Sequence, residues 1–224
     1  MTSSSTPQIV GVVFTRADLQ HAVRMRNPPD LFELRLDALF ASPDGSSAAL
    51  EKLRAPLIIT TRHPLEGGSN QLSAGKRRAL LLRFLPDAAY VDIELRSAST
   101  FAPILEEARV KNIRKILSFH DFNETPSPQR LNEIARAAKA LGADLLKVAT
   151  RTDTSAQMAR LLDFFEQQRV KTRIAAMGIG RLGKMSRLEF AKRGSILNYA
   201  HLGTPQAEGQ LSITQLRHAL IRDM

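Results

Sequence analysis

Residues 113–150 read IRKILSFHDFNETPSPQRLNEIARAAKALGADLLKVAT, a strand, a helix and a second strand in immediate succession. Ile113, Ile116, Leu117 and Phe119 fall in a run too short for a helix, which predicts a strand over residues 113–119. Ser127 before Pro128 marks a helix start. The hydroxyl caps a free backbone N–H, and proline at the first helical position forfeits no bond. Leu131, Ile134, Ala135 and Ala138 then recur at helical spacing, and Gly142 stops the helix. Residues 144–148 form the second strand, in which Lys147 interrupts the apolar run of Leu145, Leu146 and Val148. Strands joined through a helix run parallel, and parallel strands are buried on both faces. A lysine in such a strand either snorkels to water or is retained for its chemistry. Desolvation disfavours an ammonium and gives a nucleophilic amine, able to condense with a ketone or aldehyde to an imine.

The same unit repeats in both directions. Residues 8–14 are a β-branched strand, and Thr15 opens a helix with Asp18 in a near capping-box arrangement and a stripe of Leu19, Ala22 and Val23. Strands follow at residues 31–36, 57–60 and 89–95, with helices at 48–54, 73–84 and 99–110 and a loop at 42–47. Beyond residue 150 come a helix at 154–168, a strand at 172–177, a helix at 184–192, a strand at 196–200 and a helix at 212–222. Eight strand–helix units without a composition break predict one α/β domain over residues 1–224, a single (β/α)8 TIM barrel. An open doubly wound sheet is the alternative. No GxGxxG or GxxxxGK[ST] follows any strand, which counts against a nucleotide-binding version.

Composition narrows the function. The chain has no cysteine, hence no disulfide or thiolate metal site, and its five histidines form no HExxH or HxH pattern. No apolar run reaches membrane-spanning length, and residues 1–7 lack the charged and apolar regions of a signal peptide, so a cytoplasmic protein with no membrane partner is expected. The net charge of +10 raises the question of an anionic partner. Its clusters, such as Lys76-Arg77-Arg78 and Lys192-Arg193, lie on separate predicted helices, and aromatics make up only 5% of the chain. A solvated helical surface is therefore expected, with no nucleic-acid partner.

Chemistry in such a barrel sits at the C-terminal ends of the strands. Strand two carries Glu33, Arg35 and Asp37 at alternate positions, hence on one face, with Leu34 and Leu36 toward the helices. A Glu33–Arg35 ion pair is the plain structural reading. Strand three ends in Arg62, whose guanidinium fork suits a carboxylate or polyol, followed by a loop with Glu66. Strand four presents Asp92 and Glu94 on one face. Strand five ends in His120, a candidate general base near neutral pH; His21, His63, His201 and His218 read as structural. Lys147 ends strand six. Met177 ends strand seven, before a glycine-rich loop with Arg187 placed to pair an anion. A polar loop over residues 203–210 follows strand eight and suits a mobile lid.

These segments together resemble the type I 3-dehydroquinate dehydratases. The resemblance is carried by ELRLD at 33–37, TTRHPLEGG at 60–68, DIEL at 92–95, SFHDF at 118–122, LLKVAT at 145–150, MGIGRLGKMSR at 177–187 and GQ at 209–210. It implies dehydration of 3-dehydroquinate to 3-dehydroshikimate in the shikimate pathway, without metal or organic cofactor, by a homodimer. It also implies roles: Lys147 as the imine-forming lysine, His120 as general base and acid, and Glu66 as the carboxylate orienting it. Glu33, Arg35 and Arg62 correspond to contacts with substrate hydroxyls, Arg187 and Gln210 to those with its carboxylate, and Met177 and Tyr199 to packing against the ring.

In two places the chain departs from the family pattern. Gln206 stands where a carboxylate-binding serine is usual, and Glu208 replaces a proline, which predicts a looser lid and a negative charge beside an anionic substrate. Only residues 1–7 precede strand one, so the hairpin that often closes the barrel bottom is expected to be missing. A class I aldolase-like lyase sharing Lys147 is the competing enzyme, and a basic nucleic-acid-binding domain the competing non-enzyme.

Overall fold

Strands and helices alternate throughout the computed structural model, which describes residues 7–40 and 47–221. The strands are β1 Gln8–Val13, β2 Leu31–Arg35, β3 Leu57–Thr60, β4 Tyr90–Glu94, β5 Arg114–Asp121, β6 Leu145–Arg151, β7 Ile174–Ile179 and β8 Leu197–His201. The α-helices are α1 Arg16–Arg24, α2 Leu36–Leu39, α3 Ala74–Phe84, α4 Ala102–Val110, α5 Pro128–Ala140, α6 Ser155–Arg169, α7 Gly183–Lys192 and α8 Ile213–Ile221. All strands pair in parallel, in the order β7-β6-β5-β4-β3-β2-β1-β8. Between β7 and β8, Ile196 N donates to Ile174 O at 3.0 Å and Ala176 N to Ser195 Oγ at 3.2 Å, closing the cylinder. The fold is the expected α/β barrel of eight parallel strands.

Each strand serves two cores because successive side chains point to opposite faces. Leu34, Ile59, Val91, Leu117, Leu146 and Val148 meet the helices, while Val10, Leu31, Ile58, Tyr90, Ile116 and Leu145 fill the lower interior of the barrel. Local signals set the helix starts. Thr15 forms a full capping box with Asp18, Thr154 forms another with Gln157, and the Ser73 and Ser127 hydroxyls accept from Lys76 N and Arg130 N.

Four expectations need correction. Strand two ends at Arg35, and Leu36–Leu39 turns into a short helix, so Asp37 leaves the strand face. The short helix expected at 48–54 is a 3₁₀ helix and spans Ser47–Lys52. β5 and β6 run past their apolar residues, pairing His120 with Ala149 and Asp121 with Thr150, because main-chain bonding continues where the polar mouth begins. Lys147 therefore sits inside β6, not at its end. The expected loop at residues 42–46 and the expectation about a hairpin before β1 lie outside the described residues.

Candidate active site

Above the apolar plug the barrel interior turns ionic. Glu33, Asp92 and Glu94 meet Lys147, Arg62 and Arg77, all of them buried. Buried charge is tolerated only when paired and hydrogen-bonded, and here three carboxylates face three cations. Lys147 Nζ donates to Asp92 Oδ2 at 2.9 Å and to Glu33 Oε1 at 3.1 Å, and lies 3.9 Å from the centroid of the Tyr199 ring. Arg62 clasps Asp92 through Nη1 and Nη2 at 3.1 and 2.8 Å, and its Nη1 also donates to Glu94 Oε1 and Ser118 Oγ. Burial alone would raise the Asp92 carboxyl, but the charges of Arg62 and then Lys147 outweigh it and hold the group well below the usual carboxylate range. The immediate neighbours of the Lys147 amine are thus carboxylates and a ring face, with Arg62 reaching it through the shared Asp92 and, at 3.8 Å, the shared Glu33.

The proposed Glu33–Arg35 pair does not form. Arg35 instead grips Asp37 through Nε at 3.0 Å and Nη2 at 2.8 Å and donates to Gly67 O. Asp37, turned off the strand, also accepts from Arg62 N and Ser69 N, tying the loop after β3 to β2. That loop delivers Glu66, whose Oε2 lies 2.9 Å from His120 Nδ1 and accepts from His120 N at 3.0 Å. Burial pushes the Glu66 carboxyl up to about 7 against the pull of Arg62. The His120 imidazole is lowered well below its usual range, by burial first and then by Arg62 and Lys147, so it is neutral at neutral pH.

Arg187, on α7, is buried, and among the described residues no carboxylate pairs with it. Its contacts are weak: Nη1 lies 3.6 Å from Met177 Sδ and 3.4 Å from Tyr199 O, while Nε has no partner. Burial lowers the guanidinium to about 10, which leaves it charged at neutral pH and able to take an anion.

The loop after β8 folds over this group. Gln206 N donates to Gln210 Oε1 at 2.7 Å, while the Gln206 side chain donates back to Thr204 O. Gly209, at φ +83°, lies flat on the start of α7: a Cβ there would meet Lys184 N at 2.6 Å. Glu208 turns outward. Its carboxylate lies 3.3 Å from Arg151 Nη1, and its carbonyl accepts from Gly180 N. The expected negative charge beside the pocket is therefore paired outside it.

One cavity of about 150 Å³ is lined by Glu33, Arg35, Arg62, Glu66, His120, Lys147, Met177, Arg187, Tyr199, Gln206 and Gln210. All eleven sequence-derived candidates converge there, and Phe122 and Ala207 join them at the rim. Sequence reading passed over two contributors. The sequence presents Asp92 as half of an alternating acidic pair and Arg77 as part of a basic cluster. Arg77 is 3% exposed and bonds Glu94, Ser97 Oγ and Thr61 O. Its position at i relative to Leu81 (i+4) and Phe84 (i+7) on the inward face of α3 is the signal that places it there.

A sequence model described as type I 3-dehydroquinase matches residues 12–223. The chain belongs to the type I 3-dehydroquinase family. Its activity is that of a 3-dehydroquinate dehydratase, a hydro-lyase of the shikimate pathway. It is 34% identical to the 3-dehydroquinate dehydratase of Thermococcus onnurineus over 214 residues, 95% of this chain and 96% of that one. Identity to the enzyme of Methanothermobacter thermautotrophicus is 35%, over 84% of this chain and 82% of that one. The crystal structure of 3-dehydroquinate dehydratase from Geobacillus kaustophilus superposes with a TM-score of 0.87 at 28% identity, over 96% of this chain and 90% of that one. Family membership decides against the aldolase-like and nucleic-acid-binding alternatives.

Proposed function

We propose that Lys147, His120 and Glu66 carry the dehydration of 3-dehydroquinate. The observation behind this reading is that a buried amine, a histidine held by a carboxylate and an arginine that pairs with no carboxylate among the described residues share one cavity. Lys147 Nζ gives up one ammonium proton to water in the cavity and attacks the substrate ketone; a proton returns to the carbinolamine hydroxyl, which leaves as water and gives a protonated imine. His120 Nε2 takes the proton from the adjacent carbon, and its electrons flow into the iminium to form an enamine. The enamine expels the β-hydroxyl, which leaves as water with the proton held by His120. Hydrolysis of the remaining imine consumes one water, frees Lys147 and releases 3-dehydroshikimate, so the net change is one water lost. The imine is itself the electron sink, so the proposed chemistry runs without metal or organic cofactor.

The ionic cluster suits this route. Glu33 and Asp92, which hold the resting ammonium, retain a cationic nitrogen opposite them once it becomes an iminium. Arg187, with Gln206 and Gln210 from the lid, is assigned the substrate carboxylate; Glu33, Arg35 and Arg62 the hydroxyls; Met177 and Tyr199 the ring. A homodimer in the cytoplasm is part of the proposal and rests on the family resemblance. Mixing purified protein with 3-dehydroquinate is expected to produce the ultraviolet absorbance of a new enone. No absorbance change would refute the reading.

The Arg151–Glu208 pair gives the lid a testable latch. Glu208→Ala is expected to raise KM about two- to fivefold with kcat unchanged, the range of a partly exposed ion pair, and the effect should fade in high salt. A KM equal to wild type at low salt would show that the pair does not hold the loop.

A further inference from the structure

Glu66 is approached from its far side by a cation that the proposed reaction does not use. Arg96 lies in the 3₁₀ turn Leu95–Ser97 after β4, and its Nε sits 2.9 Å from Glu66 Oε1. The other oxygen, Oε2, faces both His120 N and His120 Nδ1. The two oxygens are thus divided between the histidine and the arginine. The Glu66 side chain is 2% exposed and that of Arg96 43%, so Arg96 reaches from solvent to a buried carboxylate. Among the described residues Arg96 bonds no other carboxylate, whereas Arg62 is committed to Asp92, Glu94 and Ser118.

We infer that Arg96 is a positioning residue for the dyad: its guanidinium keeps Glu66 ionised and fixes Oε1, so that Oε2 meets His120 as an acceptor. This rests on the roles proposed above for His120 and Glu66. Arg96 Nε and His120 N are N–H donors, which suits a carboxylate and not a carboxylic acid. A protonated Glu66 would donate to Nδ1 and leave the imidazole proton on Nε2, where a general base needs its lone pair. The charged groups facing Glu66 are Arg62 from the end of β3, Glu94 from β4, Arg96 from the turn after it and His120 from β5. Burial raises Glu66 to about 7, so its charge state changes close to neutral pH, and Arg62 and Arg96 both oppose that rise.

The test is the pH profile of kcat/KM for wild type, Arg96→Met and Arg96→Lys at low and high salt. Activity is present when Glu66 is ionised, so it falls as pH drops through the acid limb. Loss of Arg96 raises that limb. The limb of Arg96→Met is expected about half a pH unit or more above wild type, with the rate at high pH retained, and Arg96→Lys should recover part of the difference. Salt should raise the wild-type limb, because the arm is exposed, and leave that of Arg96→Met in place. An unmoved limb overturns the inference, as does a uniform fall at every pH, which marks a structural role alone. Glu66→Gln separates the two levels. If it keeps the wild-type rate and limb, the dyad assignment itself fails, and this inference fails with it.

Discussion

Replacing Lys147 with methionine is expected to abolish turnover, by on the order of 10⁴-fold or more, because it removes the covalent step and not merely a contact. The wild-type protein, treated with borohydride and 3-dehydroquinate, should carry a reduced adduct on the peptide containing Lys147, and Lys147→Met should carry none. An adduct on any other lysine would displace Lys147 from its role. The substitution also has a structural cost. Glu33, Asp92 and Glu94 balance Lys147, Arg62 and Arg77, so methionine leaves three buried carboxylates to two cations, with Glu33 held only by Arg62 at 3.8 Å. Breaking one side of a buried pair costs about 3–5 kcal/mol. Lys147→Arg therefore belongs beside it: it keeps the charge and removes the nucleophile. It should be inactive yet melt closer to wild type than Lys147→Met.

That charge balance explains what the sequence could and could not reveal. The architecture was legible because its signals are local. Thr15 with Asp18, Ser73 and Ser127 with Pro128 each set a helix start within a few residues, and the structure places the caps there. The convergence of the candidate residues was legible because the barrel sends strand ends to a common mouth, so motifs far apart in the chain meet by topology. What stayed hidden depends on side chains crossing between elements. Arg77 shares a basic triplet with Lys76 and Arg78, yet it alone turns inward to Glu94. Asp37 continues the alternation of Glu33 and Arg35, but the backbone bends into α2 and delivers its carboxylate to the loop after β3. Asp92 shares a strand face with Glu94 in the sequence pattern. Its contact with Lys147 spans two strands and cannot be read from either. The lid is hidden for the same reason: the partner of Glu208 is Arg151, at the end of β6, and nothing in the loop's own sequence names it.

His120→Ala separates proton transfer from covalent attachment. A positioned acid–base group contributes about 10²–10⁴-fold, and kcat should fall by that range. Lys147 and its carboxylates are untouched, so borohydride labelling of Lys147 should persist in the variant. Loss of both rate and label would place His120 in imine formation as well, and an unchanged kcat would remove it from the mechanism. The pH dependence sharpens the test. Burial, Arg62 and Lys147 lower His120 well below its usual range, so it is already neutral where the enzyme works, and its own protonation does not set the limb near neutrality. Glu66, raised to about 7, is the group of the pair that changes charge there. If Glu66 acts only through the histidine, the residual rate of His120→Ala should lack the limb near pH 7 that wild type shows. A limb that survives in His120→Ala would mean that Glu66 reaches the substrate without His120 as its intermediary.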